Sequence, residues 1–359
     1  MNTYVVLFFV NWFLNILLVE FLAIRKLTNV IKVDEARDSK YPAFRRYDTK
    51  WFNRFWLYMC CHLILIKIIV TFAVIFNCTF WCNVFVIGLE PNVPIRGIRY
   101  YLVRGIFYFT SRFVMFTSVS CVWIFNERPK VDYSKYLGPD WVADYDITTC
   151  SAMVSTHCCF LDSMIHGLCQ FPSIIAKGEV RNVPGVGPIA RVAQCFFLDR
   201  TSKDDKKRIQ DKIIERQKLI ESDPNYEPLI IHVEGGTSNG TSIIKFKRGA
   251  FVGLMSVFPK IHKFNSYFQS PSTGVVDGLP HYIIGGCLPF STCTKIEMPI
   301  FRPNQYMWDH HQREGEERWE TYMRVMRQLM AETANLPLSD QSIEDKFEYK
   351  KLLYPGKKV

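Results

Sequence analysis

Hydrophobic and polar positions divide this chain into two unlike parts. From Tyr4 to Ile24 the sequence is apolar, broken only by Asn11, Asn15 and Glu20. A helix over those residues spans about 30 Å, the thickness of a hydrocarbon core. Met1-Asn2-Thr3 precede the run and Arg25-Lys26 come after it, with no basic start and no small-residue cleavage site, so a retained anchor helix is expected. Phe55 to Gly88 is a second apolar stretch, interrupted by His62, Lys67 and Asn77. It is too long for one simple span, which predicts a kinked or re-entrant pair of helices, a hairpin packed on its neighbours. Tyr100 to Phe125 is a third, carrying Arg104 and Arg112. Those arginines predict an interfacial segment with guanidinium groups reaching toward lipid headgroups.

From about Lys130 the pattern becomes that of a globular α/β domain. Short apolar runs predict strands at Ile174–Ala176, Cys195–Leu198, Leu229–Val233, Ser256–Phe258 and Lys295–Met298. Between them, Ser202 to Ser222 has the apolar spacing of an amphipathic helix, stopped by Pro224, and Glu316 to Ala334 predicts another. Asp309-His310-His311 is expected to be a solvated loop. Strand and helix in alternation argue for a mixed or mainly parallel sheet with helical cover. The expected organisation is a membrane-anchoring region over 1–129, a catalytic domain over 130–340 and a polar tail over 341–359.

Charge and cysteine use narrow the setting. Lys and Arg outnumber Asp and Glu by 44 to 34, which favours an anionic partner. The chain has no recognisable nucleic-acid module, so a lipid surface or a phosphorylated substrate fits better than nucleic acid. Residues 25–54 hold nine Lys or Arg against four acids, which places the chain beyond the anchor on the cytoplasmic or matrix-like side. None of the 12 Cys forms a C-x-x-C pair, so reduced, structural thiols are expected and no metal site.

The candidate chemistry begins at Thr156-His157-Cys158-Cys159-Phe160-Leu161-Asp162. A His and an Asp five apart, on a loop entering a helix, can fold together. The carboxylate then holds one ring nitrogen and leaves the other as a general base. Downstream, Cys195-Phe196-Phe197-Leu198-Asp199-Arg200 is an apolar strand ending in Arg where a helix begins, an arrangement suited to phosphate. Val233-Glu234-Gly235-Gly236-Thr237-Ser238-Asn239-Gly240 comes after another strand, and Lys245 to Phe251 lies just beyond.

In this order the set resembles the glycerolipid acyltransferase superfamily. Its H-x4-D signature is met by His157 and Asp162. Its strand ending in D-R or S-R resembles Phe196 to Arg200. Its E-G-T-x-[ST]-N followed by F-K-x-G-A-F resembles Glu234 to Asn239 with Phe246 to Phe251, and its apolar run reaching Pro resembles Val257-Phe258-Pro259. The likeness covers roughly 140–340. It is nearest to the lysophosphatidylcholine acyltransferase branch, through the Lys177 strand, Pro184 to Arg191 and Met326 to Glu332. The resemblance implies a glycerol-3-phosphate acyltransferase-like mixed sheet covered by helices, preceded by N-terminal membrane helices. It further implies acyl transfer from acyl-CoA to the free hydroxyl of a lysophospholipid, with His157 as base and Asp162 orienting it. Lys177 and Arg200 would hold the acceptor phosphate, Glu234, Gly235, Gly236 and Thr237 would shape the acceptor site, and no cofactor is required. The endoplasmic reticulum is the family's default compartment, and a mitochondrial membrane is the alternative.

Two positions depart from the family pattern. Gly236 stands where Thr is usual, and His232-Val233 replace Phe-Pro before the Glu. They keep open a second expectation, an accessory subunit of a larger membrane assembly that retains the fold. Gly236-Thr237-Ser238-Asn239-Gly240 also fits the G-x-S-x-G turn of serine hydrolases, but Thr241 to Lys247 reads as strand or loop where a helix should open.

Overall fold

A chain in a water-free setting must close its backbone hydrogen bonds internally, and the first apolar run does so as a helix. In the computed structural model, residues 2–48, 54–89, 93–171, 173–183, 185–198, 203–266, 268–276 and 278–356 are described. Helix α1 is Thr3–Leu22, capped by Asn2, whose side chain accepts the Tyr4 N–H at 3.1 Å. The second run forms α2, Arg54–Cys60, and α3, Ile64–Phe85, joined by a 3₁₀ turn at Cys61–Leu63. The expected hairpin does not form, since the two segments continue as one helical stretch, Arg54–Phe85. That stretch and Thr3–Lys26 are the two, among the described residues, long and apolar enough to cross a bilayer. Phe8, Phe9 and Phe13 on α1 and Phe72 and Phe76 on α3 point outward, which suits a lipid solvent.

The polar residues inside these runs are used internally. The 3₁₀ turn disrupts the regular helical ladder, and α1 supplies partners for it. Asn11 Nδ2 donates to the His62 carbonyl at 2.9 Å, and Asn15 Oδ1 accepts the Leu65 N–H at 2.7 Å. The Trp12 indole N–H donates to the Tyr58 carbonyl at 2.6 Å. Lys67 turns inward and donates to Ser120 Oγ and the Gly286 carbonyl.

The third apolar run divides. Helix α4, Gly97–Val119, stops at Ser120, which adopts the left-handed conformation with φ 50. The chain then enters strand β1, Cys121–Glu127. No Gly or Pro marks this stop, so hydropathy alone runs the two elements together.

Strand β2 is Ala152–Ser155, followed by α5, Leu161–Cys169; β3 is Ile175–Lys177 and β4 is Phe196–Leu198. Helix α6, Lys203–Ser222, leads to β5, Leu229–His232, and β6, Val257–Asn265. Helix α7, Gly278–Gly286, leads to β7, Ser291–Glu297. The main sheet has the order β1-β7-β6-β2-β5. Only β6 and β7 pair antiparallel; the others are parallel, so the sheet is mixed, as expected. β3 and β4 pair parallel and join the main sheet through a bridge from Ile174 to Ile230. Every residue of β2 is buried, as in a strand covered on both faces.

Three expectations change. Arg104 does not reach toward headgroups: its guanidinium donates to the Gly167 and Leu168 carbonyls, both at 2.7 Å, neutralising the C-terminal end of α5. His310 and His311 lie on a short helix, α8, Gln305–His311, rather than a loop; α9, Arg318–Ala334, comes next. The polar tail over 341–359 contains α10, Ile343–Leu353, opened by a capping box of Ser342 and Asp345. Its Tyr349 and Leu353 are buried with Val19, Leu27, Phe44 and Ile244, and the Tyr349 hydroxyl donates to Asp38 at 2.8 Å. The apolar positions of α10 are few, which makes it polar by composition and still able to dock. The sheet itself begins at Cys121, ahead of the expected domain boundary.

Asn15→Ala removes the acceptor for the Leu65 N–H. A buried N–H left unpaired costs about 1–3 kcal/mol. The thermal unfolding midpoint of the detergent-solubilised protein should fall for Asn15→Ala and hold for Asn83→Ala, whose side chain is exposed. Equal midpoints would contradict the stitching of α1 to the α2–α3 turn.

Candidate active site

Strands β2, β5 and β6 are parallel neighbours; β2 and β5 end together, with Ser155 opposite His232, while β6, paired with Ser155 at Lys260, runs on to Asn265. Loops leaving the carboxyl ends of such strands are where α/β sheets collect ligands. Here they carry His157, Glu234 and, on β6 itself, His262.

Asp162 is the second residue of α5, at the positive end of the helix dipole. Its carboxylate is completely enclosed and fully hydrogen-bonded. Oδ2 accepts the His157 Nδ1–H at 2.8 Å and the Cys158 and Cys159 amides at 2.8 and 3.0 Å. Oδ1 accepts from His262 Nδ1 at 3.1 Å. Burial by itself raises a carboxyl's proton affinity, but the bonds from His157 and His262 outweigh it and hold Asp162 well below the usual carboxylate range.

With Nδ1 committed to Asp162, His157 keeps Nε2 for other work, and its side chain is 19% exposed. The residue is also fixed through its backbone. Its N–H donates to Glu234 Oε2 at 2.9 Å, and its carbonyl accepts the Ser238 N–H at 2.8 Å. The His157–Asp162 pairing expected from sequence is therefore present, and the Glu-Gly-Gly segment braces it.

That bracing changes the expected role of Glu234. Its carboxyl is wholly buried and bonded to backbone, Oε1 accepting the Ile244 N–H at 3.4 Å, so it supports His157 instead of facing an acceptor. Burial, reinforced by the nearby Asp162 charge, pushes its pKa up to about 8, with the two backbone donors opposing. Gly235 takes φ +75, which favours glycine. At Gly236 a Cβ would overlap the Ile343 side chain of α10. The space of the family's usual Thr is filled here by the docked C-terminal helix. Thr237 also turns into the protein, its hydroxyl bonded to Lys346 Nζ at 2.5 Å and to the Gly274 carbonyl at 3.3 Å.

Lys177 ends β3 opposite Leu198 of β4. The Lys177 side chain and all of Arg200 lie outside the described residues. Ser238 is buried, its hydroxyl accepts the Gly240 N–H, and a turn rather than a helix comes after it, unlike a hydrolase elbow.

Three further imidazoles surround the pair, in a cluster that the sequence did not foretell. The His232 ring stacks on His157, centroids 4.0 Å apart and planes within 8°. Its Nδ1 meets Ser155 Oγ at 2.9 Å, and that hydroxyl meets His166 Nε2 at 3.3 Å. His166 in turn lies 4.9 Å from the His262 ring. Burial, then neighbouring imidazoles, hold His166 and His232 well below the ordinary histidine range, so both stay neutral. Their positions, far downstream or one helical turn on, give no local motif. The only signal was His232 in place of an apolar ring.

Parts of this chain are similar to known proteins. The family model described as Acyltransferase matches residues 151–262, from the edge of β2 to His262. The lysophospholipid acyltransferase LPEAT1 of Arabidopsis thaliana is 30% identical over 55% of this chain and 48% of its own length. A lysophosphatidylcholine acyltransferase of Drosophila melanogaster is 28% identical over 54% of this chain and 34% of its own. Lysophosphatidylcholine acyltransferase 2 of Homo sapiens is 26% identical over the same shares. The matched segment thus spans about half or less of each relative. A solved 1-acyl-sn-glycerophosphate acyltransferase, PlsC, from Thermotoga maritima aligns over 77% of this chain and 97% of its own, with TM-score 0.49 and 16% identity.

The raised Glu234 pKa has a signed consequence. Between about pH 4.5 and 8 the unfolded chain gives up a proton that the folded chain keeps, so this group's contribution to stability is full below that window and is lost as pH rises through it. Glu234→Gln lacks the slope. Its unfolding midpoint should gain on the wild type from pH 5 to pH 8, whereas Glu234→Ala should lie below both at each pH. A wild-type minus Gln difference that does not change with pH would contradict a buried neutral carboxyl.

Proposed function

Because the chain belongs to the glycerolipid acyltransferase superfamily, we propose that it transfers an acyl group from acyl-CoA to the free hydroxyl of a lysophospholipid, as a 1-acylglycerophospholipid O-acyltransferase. The observation that carries this is the His157–Asp162 pair, with Nδ1 anchored on a buried carboxylate and the ring partly open. His157 Nε2 takes the proton of the acceptor hydroxyl as its oxygen attacks the thioester carbonyl. The tetrahedral adduct collapses, the carbon–sulfur bond breaks, and the CoA thiolate recovers the proton from His157. The imidazolium formed in between lies against the Asp162 charge and under the neutral His232 ring. Acyl-CoA enters as substrate, and the step uses no metal or cofactor.

Setting and shape support lipid substrates. Two candidate spans lead into the domain. A cavity of about 510 Å³ lined by Tyr47, Phe264, Phe268 and Phe290 opens beside them, with the Trp56 ring of α2 tilted against Phe268 at 5.8 Å. Phe264 shares a face of β6 with His262, about 7 Å further along the strand, so an acyl chain there would lie within reach of the dyad. Lys177 and Arg200 are the groups we assign to the acceptor phosphate. The endoplasmic reticulum is the membrane we assign.

Purified full-length protein incubated with labelled acyl-CoA and a panel of lysophospholipids should form labelled diacyl phospholipid. His157→Ala should lose about 10²–10⁴-fold of that rate. No product from the wild type on any acceptor would overturn the enzymatic reading and favour an accessory subunit.

A further inference from the structure

The carboxylate that orients the general base has two oxygens, and the superfamily signature accounts for one. Oδ2 takes three donors, all from the loop that carries His157. Oδ1 faces the other way, into the sheet, where the protein provides His262 Nδ1 at 3.1 Å. His262 comes from the middle of β6, a hundred residues after Asp162, and both side chains are 0% exposed. Its backbone is tied to the same loop, since its carbonyl accepts the Cys158 thiol at 3.7 Å. Among the described residues ring Nε2 is buried without a partner, and the polar bond the ring makes there is to Asp162.

We propose that His262 is a positioning residue for the acyl transfer step, a second imidazole that pins the far oxygen of Asp162 and so fixes the angle at which Asp162 holds His157. This rests on the function proposed above. Without the bond from His262, the Asp162 side-chain torsion is fixed by the Oδ2 donors alone, and its charge is shared among fewer donors. The first effect misaligns His157 Nε2 with the acceptor hydroxyl. The second makes the carboxylate a stronger partner for imidazolium, which moves deprotonation of His157 to higher pH. The other ionisable groups facing this ring are His166 from α5, His232 from β5 and Lys260 on β6 itself.

Two substitutions separate a hydrogen-bonding role from a packing role. Asn places an amide N–H where His262 has Nδ1; Gln places it where His262 has Nε2, out of line with Asp162. Both are polar amides, and neither titrates. In the full chain, His262→Asn should keep kcat within about threefold of wild type, while His262→Gln should lower kcat about 10–100-fold, the usual effect of removing a group that orients a reactive ligand, with KM for the lysophospholipid little changed. The acid limb of the kcat profile should stay in place for Asn and rise by roughly half to one pH unit for Gln. A second readout needs no turnover. Diethyl pyrocarbonate modifies neutral imidazole, and the pH dependence of His157 modification, tracked by peptide mass, should rise for Gln and not for Asn. If the wild type proves inactive on every acceptor, this measurement still decides the placement of His262 and leaves the functional reading as what failed. Asn and Gln behaving alike, whether both unchanged or both impaired, would overturn the proposal.

Discussion

Asp162 keeps a full negative charge where water cannot reach it, and most of the site depends on that. A lone carboxylate in such a place would take up a proton, because desolvation costs several kcal/mol. Four donors prevent it: two backbone amides at the start of α5, His157, and His262. Each requires its own piece of architecture. The amides need the loop to fold back over the helix N-terminus, which the H-x4-D spacing allows. His262 needs β6 to pair beside β2 in the observed register. The far end of α5 is satisfied separately by Arg104, which ties that helix to α4.

The second constraint is the bracing of His157 from the Glu234 segment. Its backbone amide and carbonyl are both bonded to that segment, which is held down in turn by α10 through Ile343 and Lys346. A change that looks like the loss of a catalytic hydroxyl, Gly236 for Thr, is then a packing accommodation. The helix that fills the gap also reaches the juxtamembrane segment, through Tyr349 and Asp38. The segment around Asp38, the Glu234 loop and the C-terminal helix thus hold one another in place.

How much of this the sequence disclosed depended on range. His157 and Asp162 were legible because five residues and one helix start suffice to join them. The amphipathic Lys203–Ser222 and Arg318–Ala334 helices were legible from spacing, and β3, β4 and β5 from short apolar runs. β1 was hidden because Ser120 ends α4 in a left-handed turn that glycine usually makes. Helix α10 was hidden because a few apolar residues on a charged segment dock as well as many. Glu234 read as a ligand because acid beside glycines suggests a pocket, and its backbone partners are set by tertiary folding. His166, His232 and His262 share no local motif; they meet only because α5, the end of β5 and the middle of β6 are brought together around β2.

If an ionised Asp162 holds His157 as the base for acyl transfer, removing its charge while keeping its shape must cost turnover. Asp162→Asn does that, and the decisive quantity is its rate of acyl transfer, with unfolding measured alongside. A fall of about 10²–10⁴-fold is expected, in a protein that still folds. Turnover by Asp162→Asn equal to that of the wild type would refute the carboxylate as the support of the base.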